Sequence, residues 1–311
     1  IVRVAEAYFN LLSAKDTLNA ARANLAALEQ QLEQTKKRYE VGLIAITDVQ
    51  ESQAAYDLAA AEEIQAELEV VTQREVLSVI IGQYVENLAA PEDIPLVKPE
   101  PSNPDAWVEL AMEQNLNLIA ARFALKNAYA NVDIAQAGHY PTLGFNANYN
   151  DNTNDLDVVV NGVPYPETTS TSTSLSLQLT VPIFSGGSTS SQVDEAAALA
   201  MAQHAQLKLT TRETKQLART AYLGVVSNLS RVKALKQAVK SAETALEATE
   251  AGYEVGTRTT VDVLTSRQNL FTARTNYARA KYDYIINLLK LKAAAGTLTV
   301  ESIKTINTWL K

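Results

Sequence analysis

Two short turns carry most of the side chains with usable chemistry. Thr47 and Asp48 follow Val41-Gly42-Leu43, and Tyr253, Arg258 and Asp262 surround Val255-Gly256-Thr257. If the turns are neighbours, Arg258 can pair with Asp48 while Tyr253 donates to the same carboxylate. Such contacts hold elements together; they do not break bonds. Partly exposed pairs are each worth only ~0–1 kcal/mol, so a partner can open a latch made of several. Asp262 adds one carboxylate per chain, and a ring of these in an assembly favours cations.

The other polar constellations are weaker. Ser185-Gly186-Gly187-Ser188 lacks the lysine and spacing of a phosphate loop, and reads as a turn from strand into helix. His139 and His204 are far apart, and Glu62, Glu63 and Glu67 form a solvated helix face. The absence of Cys excludes thiol catalysis, disulfides and Cys-ligated zinc. No catalytic set, metal site or cofactor motif emerges, so the reading is not that of an enzyme. A net charge of −8 argues against a nucleic-acid partner. No apolar run reaches the 18 residues of a transmembrane helix.

The turns lie in an internal duplication. Tyr39-Glu40-Val41-Gly42 recurs 214 residues later as Tyr253-Glu254-Val255-Gly256, and the same offset takes Tyr8 to Tyr222, Asp48 to Asp262 and Gly82 to Gly296. Residues 1–82 and 215–296 align without a gap. In each copy the apolar positions step by three and four: Leu18, Ala21, Leu25, Leu28 and Leu32 in the first, Val225, Leu229, Val232, Leu235, Val239, Ala242 and Leu246 in the second. That period of 3.5 is a coiled-coil seam. Gly42 and Gly256 suit left-handed helix caps. Thr47-Asp48-Val49-Gln50, and Thr259 with Asp262, read as capping boxes that open the next helix. Each copy is therefore a helical hairpin with a tight tip. Residues 188–253 contain no Pro, and a continuous helix there would span roughly 100 Å.

Two segments change to period two. Thr142–Tyr149 and Ser174–Ile183 alternate apolar with small or polar residues. Their length suits tilted membrane-crossing strands, with residues 150–173 as a long, polar, mobile loop. A soluble hairpin packed on helices is the other reading of the same pattern. Pro91, Pro95, Pro99, Pro101 and Pro104 forbid a long helix in the joint that follows the first copy. The expected divisions are a first helical hairpin (1–90), a Pro-rich linker with short helices broken at Asn115 (91–137), a strand pair (138–187), the second-copy helices (188–296) and a C-terminal segment (297–311). The last packs with the linker as a belt on the long helices. Because residues 105–214 precede the second copy, the duplication also predicts a counterpart of about 110 residues, with a signal peptide, before Ile1.

At the tips the sequence resembles the TolC family of outer-membrane efflux and secretion channels. The resemblance rests on Val41-Gly42-Leu43-Ile44-Ala45-Ile46-Thr47-Asp48-Val49-Gln50 and on residues 253–264, Tyr-Glu-Val-Gly-Thr-Arg-Thr-Thr-Val-Asp-Val-Leu. Ala137-Gly138-His139-Tyr140-Pro141-Thr142-Leu143 and Pro182-Ile183-Phe184-Ser185-Gly186-Gly187 resemble the family's strand-entry and strand-exit signatures. The likeness runs along essentially the whole chain. It implies a mainly α homotrimer in the outer membrane of a Gram-negative bacterium, with a periplasmic α-barrel and a transmembrane β-barrel in lipid. Its implied partners are a periplasmic membrane-fusion adaptor and an inner-membrane pump of RND, ABC or MFS type. It implies tip-closing roles for Thr47, Asp48, Tyr253 and Arg258, a weaker linkage through Gln31 and Glu250, and adaptor contacts at Val41, Gly42, Leu43, Val255, Gly256 and Thr257. Asp262 matches the first of two entrance aspartates, while the second position holds Thr265. Four strands per subunit are expected and two are present, so the chain as given should not close a barrel. The expected function is a passive exit duct, gated at its tips. The alternatives are a soluble periplasmic coiled-coil adaptor or scaffold and, more weakly, an envelope enzyme on a helical stalk.

Overall fold

A computed structural model describes residues 1–85, 87–91, 94–154, 159–160, 163–164 and 168–310. The duplicated seams form the helices they predict. Helix α1 (Val2–Glu40) and α2 (Ile46–Ile81) make the first hairpin. After a non-helical joint come α3 (Pro104–Gln114) and α4 (Leu116–Ala137), broken at Asn115 as expected. Strands β1 (Thr142–Asn154) and β4 (Thr168–Thr180) pair antiparallel, with short β2 (Val159–Val160) and β3 (Val163–Pro164) between them. Helix α5 (Ser188–Glu254), α6 (Thr260–Ala294) and the short α7 (Val300–Asn307) complete the chain. Among the described residues no helix is long and apolar enough to cross a membrane.

Two compact units result, one of residues 1–119 with 211–311 and one of residues 120–210. In the first, Leu11, Ala14, Leu18 and Ala21 of α1 pack on Ala66, Val70 and Leu77 of α2. A larger core joins Phe9 and Leu12 of α1 to Trp107 of α3, Tyr222, Val225, Leu229 and Val232 of α5, Tyr282, Tyr284 and Ile285 of α6, and Ile306 of α7. Leu11, Val225, Ile285 and Leu291 are wholly buried. Each such side chain contributes roughly 1.5–3 kcal/mol of burial, so the seams, more than helix propensity, hold these long helices in place.

The Pro-rich joint has no regular ladder, so its carbonyls need other donors. Three tyrosines supply them. Tyr8 donates to the carbonyl of Ala89 (2.6 Å), Tyr284 to Val97 (2.7 Å) and Tyr222 to Ser102 (2.6 Å). Tyr8 and Tyr222 are the duplicated pair, so both copies pin one linker. Trp107 Nε1 donates to Pro101 (2.7 Å), and Pro91 bridges to Leu310 of the tail. The joint and the tail thus meet at Pro91 and Leu310.

In the second unit the strands depart from expectation. They run to Asn154 and start again at Thr168, so both ends of the anticipated loop are ladder. Thr and Ser favour strands even where apolar alternation has stopped, and Thr171 Oγ1 donates across the pair to Asp151 (3.2 Å). The second strand ends at Thr180 rather than Ile183, because Pro182 offers no N–H and restrains Val181. The register aligns Leu143 with Leu179, Phe145 with Leu177 and Ala147 with Leu175 on one face. Gly144 with Gln178, Asn146 with Ser176 and Asn148 with Ser174 occupy the other.

Candidate functional site: the hairpin tips

Each tip is built by a helix stop, a glycine turn and a helix start. Gly42 has φ 75° and Gly256 φ 78°, the left-handed geometry expected of both. The Leu43 N–H reaches back to the Arg38 carbonyl (2.9 Å), and the Thr257 N–H to that of Gly252 (2.8 Å). These bonds satisfy the terminal carbonyls of α1 and α5. The turns leave Val41, Leu43 and Val255 about two-thirds or more exposed.

The capping boxes differ between copies. Thr259 and Asp262 form the full box: the Thr259 N–H and hydroxyl donate to Asp262 Oδ2 (2.8 and 2.9 Å), and the Asp262 N–H donates to Thr259 Oγ1 (3.2 Å). The Thr259 N–H, its hydroxyl and the charge of Arg258 together hold the Asp262 carboxyl below the usual aspartate range. In the first copy Thr47 is not the cap. Helix α2 starts at Ile46 with Ala45 as its cap, and only the returning half of the box exists, from the Ala45 N–H to Asp48 Oδ2 (3.3 Å). Alanine has no side-chain acceptor, so the Asp48 N–H turns to the Ala45 carbonyl (3.2 Å).

Within one chain Gln31, Glu250 and Tyr253 line one cleft, Thr47, Asp48 and Arg258 are not part of its lining, and the expected bonds are not made. Among the described residues Arg258 forms no ion pair, and its stem lies over Gly252, where an added Cβ would sit 2.7 Å from Arg258 Cγ. The Tyr253 hydroxyl is buried without a partner. Its ring instead receives the guanidinium of Arg38, 4.6 Å from the ring centre. That cation–π contact was absent from the sequence reading, because nothing local ties position 38 to position 253. Gln31 and Glu250 line the same cleft, but Glu250 takes Arg267 (2.5 Å) and Gln31 Nε2 has no partner.

A hydroxyl pair behind each tip, buried in the first copy and half-buried in the second, was also missed. Ser52 donates to Thr35 (3.3 Å), which donates on to the Gln31 carbonyl (2.7 Å). At the 214-residue offset Ser266 donates to Thr249 (3.2 Å), which donates to the Ala245 carbonyl (2.7 Å). Both pairs interrupt an apolar seam, and their recurrence at one offset was the readable signal. A polar layer in a coiled coil specifies register. Thr35→Val should cost about 1–2 kcal/mol by stranding Ser52, whereas Thr35→Val with Ser52→Ala should recover most of it. Thermal unfolding of the two variants checks this, and equal losses would refute the pair.

Among the described residues no cluster of His, Asp or Glu could hold a metal. What the fold offers is duplicated, heptad-paired hairpins with glycine tips, joined through a β-hairpin whose apolar face is uncovered. That combination defines the class of outer-membrane channel proteins. The sequence matches the outer membrane efflux protein family over residues 1–83 and 107–297, and the chain belongs to that family. It is 38% identical to outer membrane protein TolC of Vibrio cholerae over 312 residues, covering 100% of this chain and 70% of the relative. Against TolC of Escherichia coli K12 the identity is 37%, covering 99% of this chain and 63% of the relative. The alkaline protease secretion protein AprF of Pseudomonas aeruginosa is 30% identical, covering 96% and 61%. The crystal structure of VceC from Vibrio cholerae has the same fold, with a TM-score of 0.74 at 20% identity over 95% of this chain and 69% of that one. The chain is thus part of an efflux or secretion channel protein of the Gram-negative outer membrane, not of an enzyme. It spans somewhat under two-thirds to 70% of these relatives.

Proposed function

We propose that the protein assembles as a homotrimeric exit duct. Its β-hairpins join those of other subunits in an outer-membrane barrel, and its helical hairpins form a periplasmic α-barrel closed at the tips. The observation that carries this reading is the β1–β4 face. Leu143, Phe145, Leu175, Leu177 and Leu179 lie in register and are 65–69% exposed. A two-stranded sheet with an uncovered apolar face and two free edges is not stable in water. Lipid on that face and further strands on its edges remove both problems. With Tyr149 the apolar face of β1 runs from Leu143 to Tyr149, roughly 23 Å along the strand at ~3.3 Å per residue. At the tilt of barrel strands that is about 16–19 Å of membrane height, the greater part of an apolar band of ~25 Å. Tyr149 stands at the end of that band, where an interfacial aromatic belongs.

Transport through such a duct is passive, and a pump supplies the energy. The tip turns present Val41, Gly42, Leu43, Val255, Gly256 and Thr257 to a membrane-fusion adaptor, which couples the duct to an inner-membrane pump. The gate is a two-state rearrangement of the tips. Among the described residues Arg258 makes no ion pair, so its guanidinium is available to close contacts with Asp48 and Thr47 of a neighbouring protomer. Tyr253 and the Gln31–Glu250 positions provide further bonds, and one Asp262 per chain rings the entrance. Arg258→Ser should raise single-channel conductance of the full-length protein several-fold in planar bilayers and leave the melting temperature unchanged. Unchanged conductance removes the latch. A full-length protein that is folded and soluble without detergent, with no conductance, overturns the duct in favour of an adaptor or scaffold.

A further inference from the structure

The helices behind the tips enclose a cleft of about 660 Å³, lined by Gln31, Lys37 and Arg38 of α1, Glu250 and Tyr253 of α5 and Arg267 of α6. Its hydrogen bonding is one-sided. Gln31 is only 5% exposed, yet its Nε2 has no partner. The Tyr253 hydroxyl and Arg267 Nε are buried and unpartnered as well. All three are donors. Lys37 and Arg38 make no ion pair among the described residues; of the two carboxylates that line the cleft, Glu250 is engaged by Arg267 and Glu254 pairs with neither cation, so three cations face two carboxylates. Buried donors without acceptors cost about 1–3 kcal/mol each, and a fold that keeps three of them in one cavity has room for something that accepts. The cavity volume is that of a small-molecule site, not of a single water.

We infer that this cleft binds a small oxyanion, carrying carboxylate or phosphate groups. Its oxygens accept from Gln31 Nε2, the Tyr253 hydroxyl and Arg267 Nε, and its charge is met by Lys37 and Arg38. A bound anion would bridge α1 to α5 and α6 just behind the tips, so occupancy ties the two hairpins together. Arg38, which covers the Tyr253 ring at 4.6 Å, stands over the phenol that would donate to the anion.

The site is read by binding, so its test stands apart from the gating proposal above. Citrate, as a polycarboxylate probe, and inorganic phosphate, as a compact oxyanion, are titrated by calorimetry into the full-length protein in detergent and chloride buffer. Saturable binding of either probe at one site per chain is expected. Gln31→Leu and Arg38→Gln should each weaken it at least tenfold. Lys37→Gln, at an exposed position that folding does not need, should weaken it about threefold. Arg22→Gln, which removes a cation paired with Glu63 elsewhere on α1, should leave it unaltered. Binding of citrate alone assigns the cleft to polycarboxylates, and competition by phosphate assigns it to single oxyanion groups. No saturable heat with either probe, or binding indifferent to both Arg38→Gln and Lys37→Gln, overturns the proposal.

Discussion

Gly296→Ala should be the most destabilising Gly→Ala change among the described glycines, by about 4 kcal/mol. Gly296 ends α6 with φ 76°, and its Thr297 neighbour closes the cap on Lys292 (2.9 Å). A Cβ there would lie 2.1 Å from the Gln114 carbonyl oxygen and 2.9 Å from the Asn115 N. Those are backbone atoms of the α3–α4 junction, so no side chain can swing aside. The junction is also held from its own side: Asn115 Nδ2 donates to the Ala294 carbonyl (2.8 Å), and Asn115 Oδ1 caps α4 by accepting from the Leu118 N–H (3.1 Å). Moving the junction away breaks that bond. The left-handed φ contributes ~1 kcal/mol, overpacking ~1–3, and the lost buried hydrogen bond ~1. Gly256 isolates the first of these. It has φ 78° with nothing within 4 Å of its Cβ position. Gly256→Ala should therefore cost only ~1 kcal/mol. Melting temperatures by circular dichroism in detergent check the pair, and equal shifts would mean that the junction yields freely.

That contrast marks where the sequence was legible. Gly42, Gly256, the heptads and the strand alternation are local signals, and the structure returns them nearly unchanged. The Asn115 break was visible too, but not its purpose, since Ala294 is 179 residues away. No period links a polar side chain to a distant carbonyl. The same is true of Tyr8, Tyr222 and Tyr284, which lie on helices and donate to a linker without a ladder of its own. The strand ends were misplaced because Thr and Ser extend a ladder without any apolar alternation to announce it. At the tips the residue types were readable from their turns, and half the pairings were not. Thr259 with Asp262 is a three-residue signal, whereas Arg38 over Tyr253 and Arg267 with Glu250 require knowing how hairpins lie against each other. The Thr35–Ser52 and Thr249–Ser266 layers fall between these cases. Each is a pair of unremarkable hydroxyls alone, and a pattern only when the two copies are laid over one another.

Leu177→Arg should abolish outer-membrane assembly, and Ser176→Arg should not. The two positions are adjacent on β4 and point to opposite faces, as the register requires. Leu177 pairs with Phe145 at the middle of the apolar band, flanked by Leu143–Leu179 and Ala147–Leu175. An arginine at the midplane of a lipid-facing strand costs about 2–4 kcal/mol, and a trimer would suffer it three times in one barrel. Ser176 pairs with Asn146 on the side proposed to face the water-filled interior, where a guanidinium stays hydrated. The expected result is full-length Leu177→Arg protein missing from the outer-membrane fraction, with Ser176→Arg protein recovered there at wild-type level. Conductance of the latter should shift toward anions, because the new charge lies along the permeation path. If both variants reach the membrane equally, lipid does not cover this face and the barrel reading fails. If only Ser176→Arg is lost, the faces are reversed. The one outcome consistent with a duct is the asymmetric one, because burial in lipid alone distinguishes two neighbouring, exposed positions on a single strand.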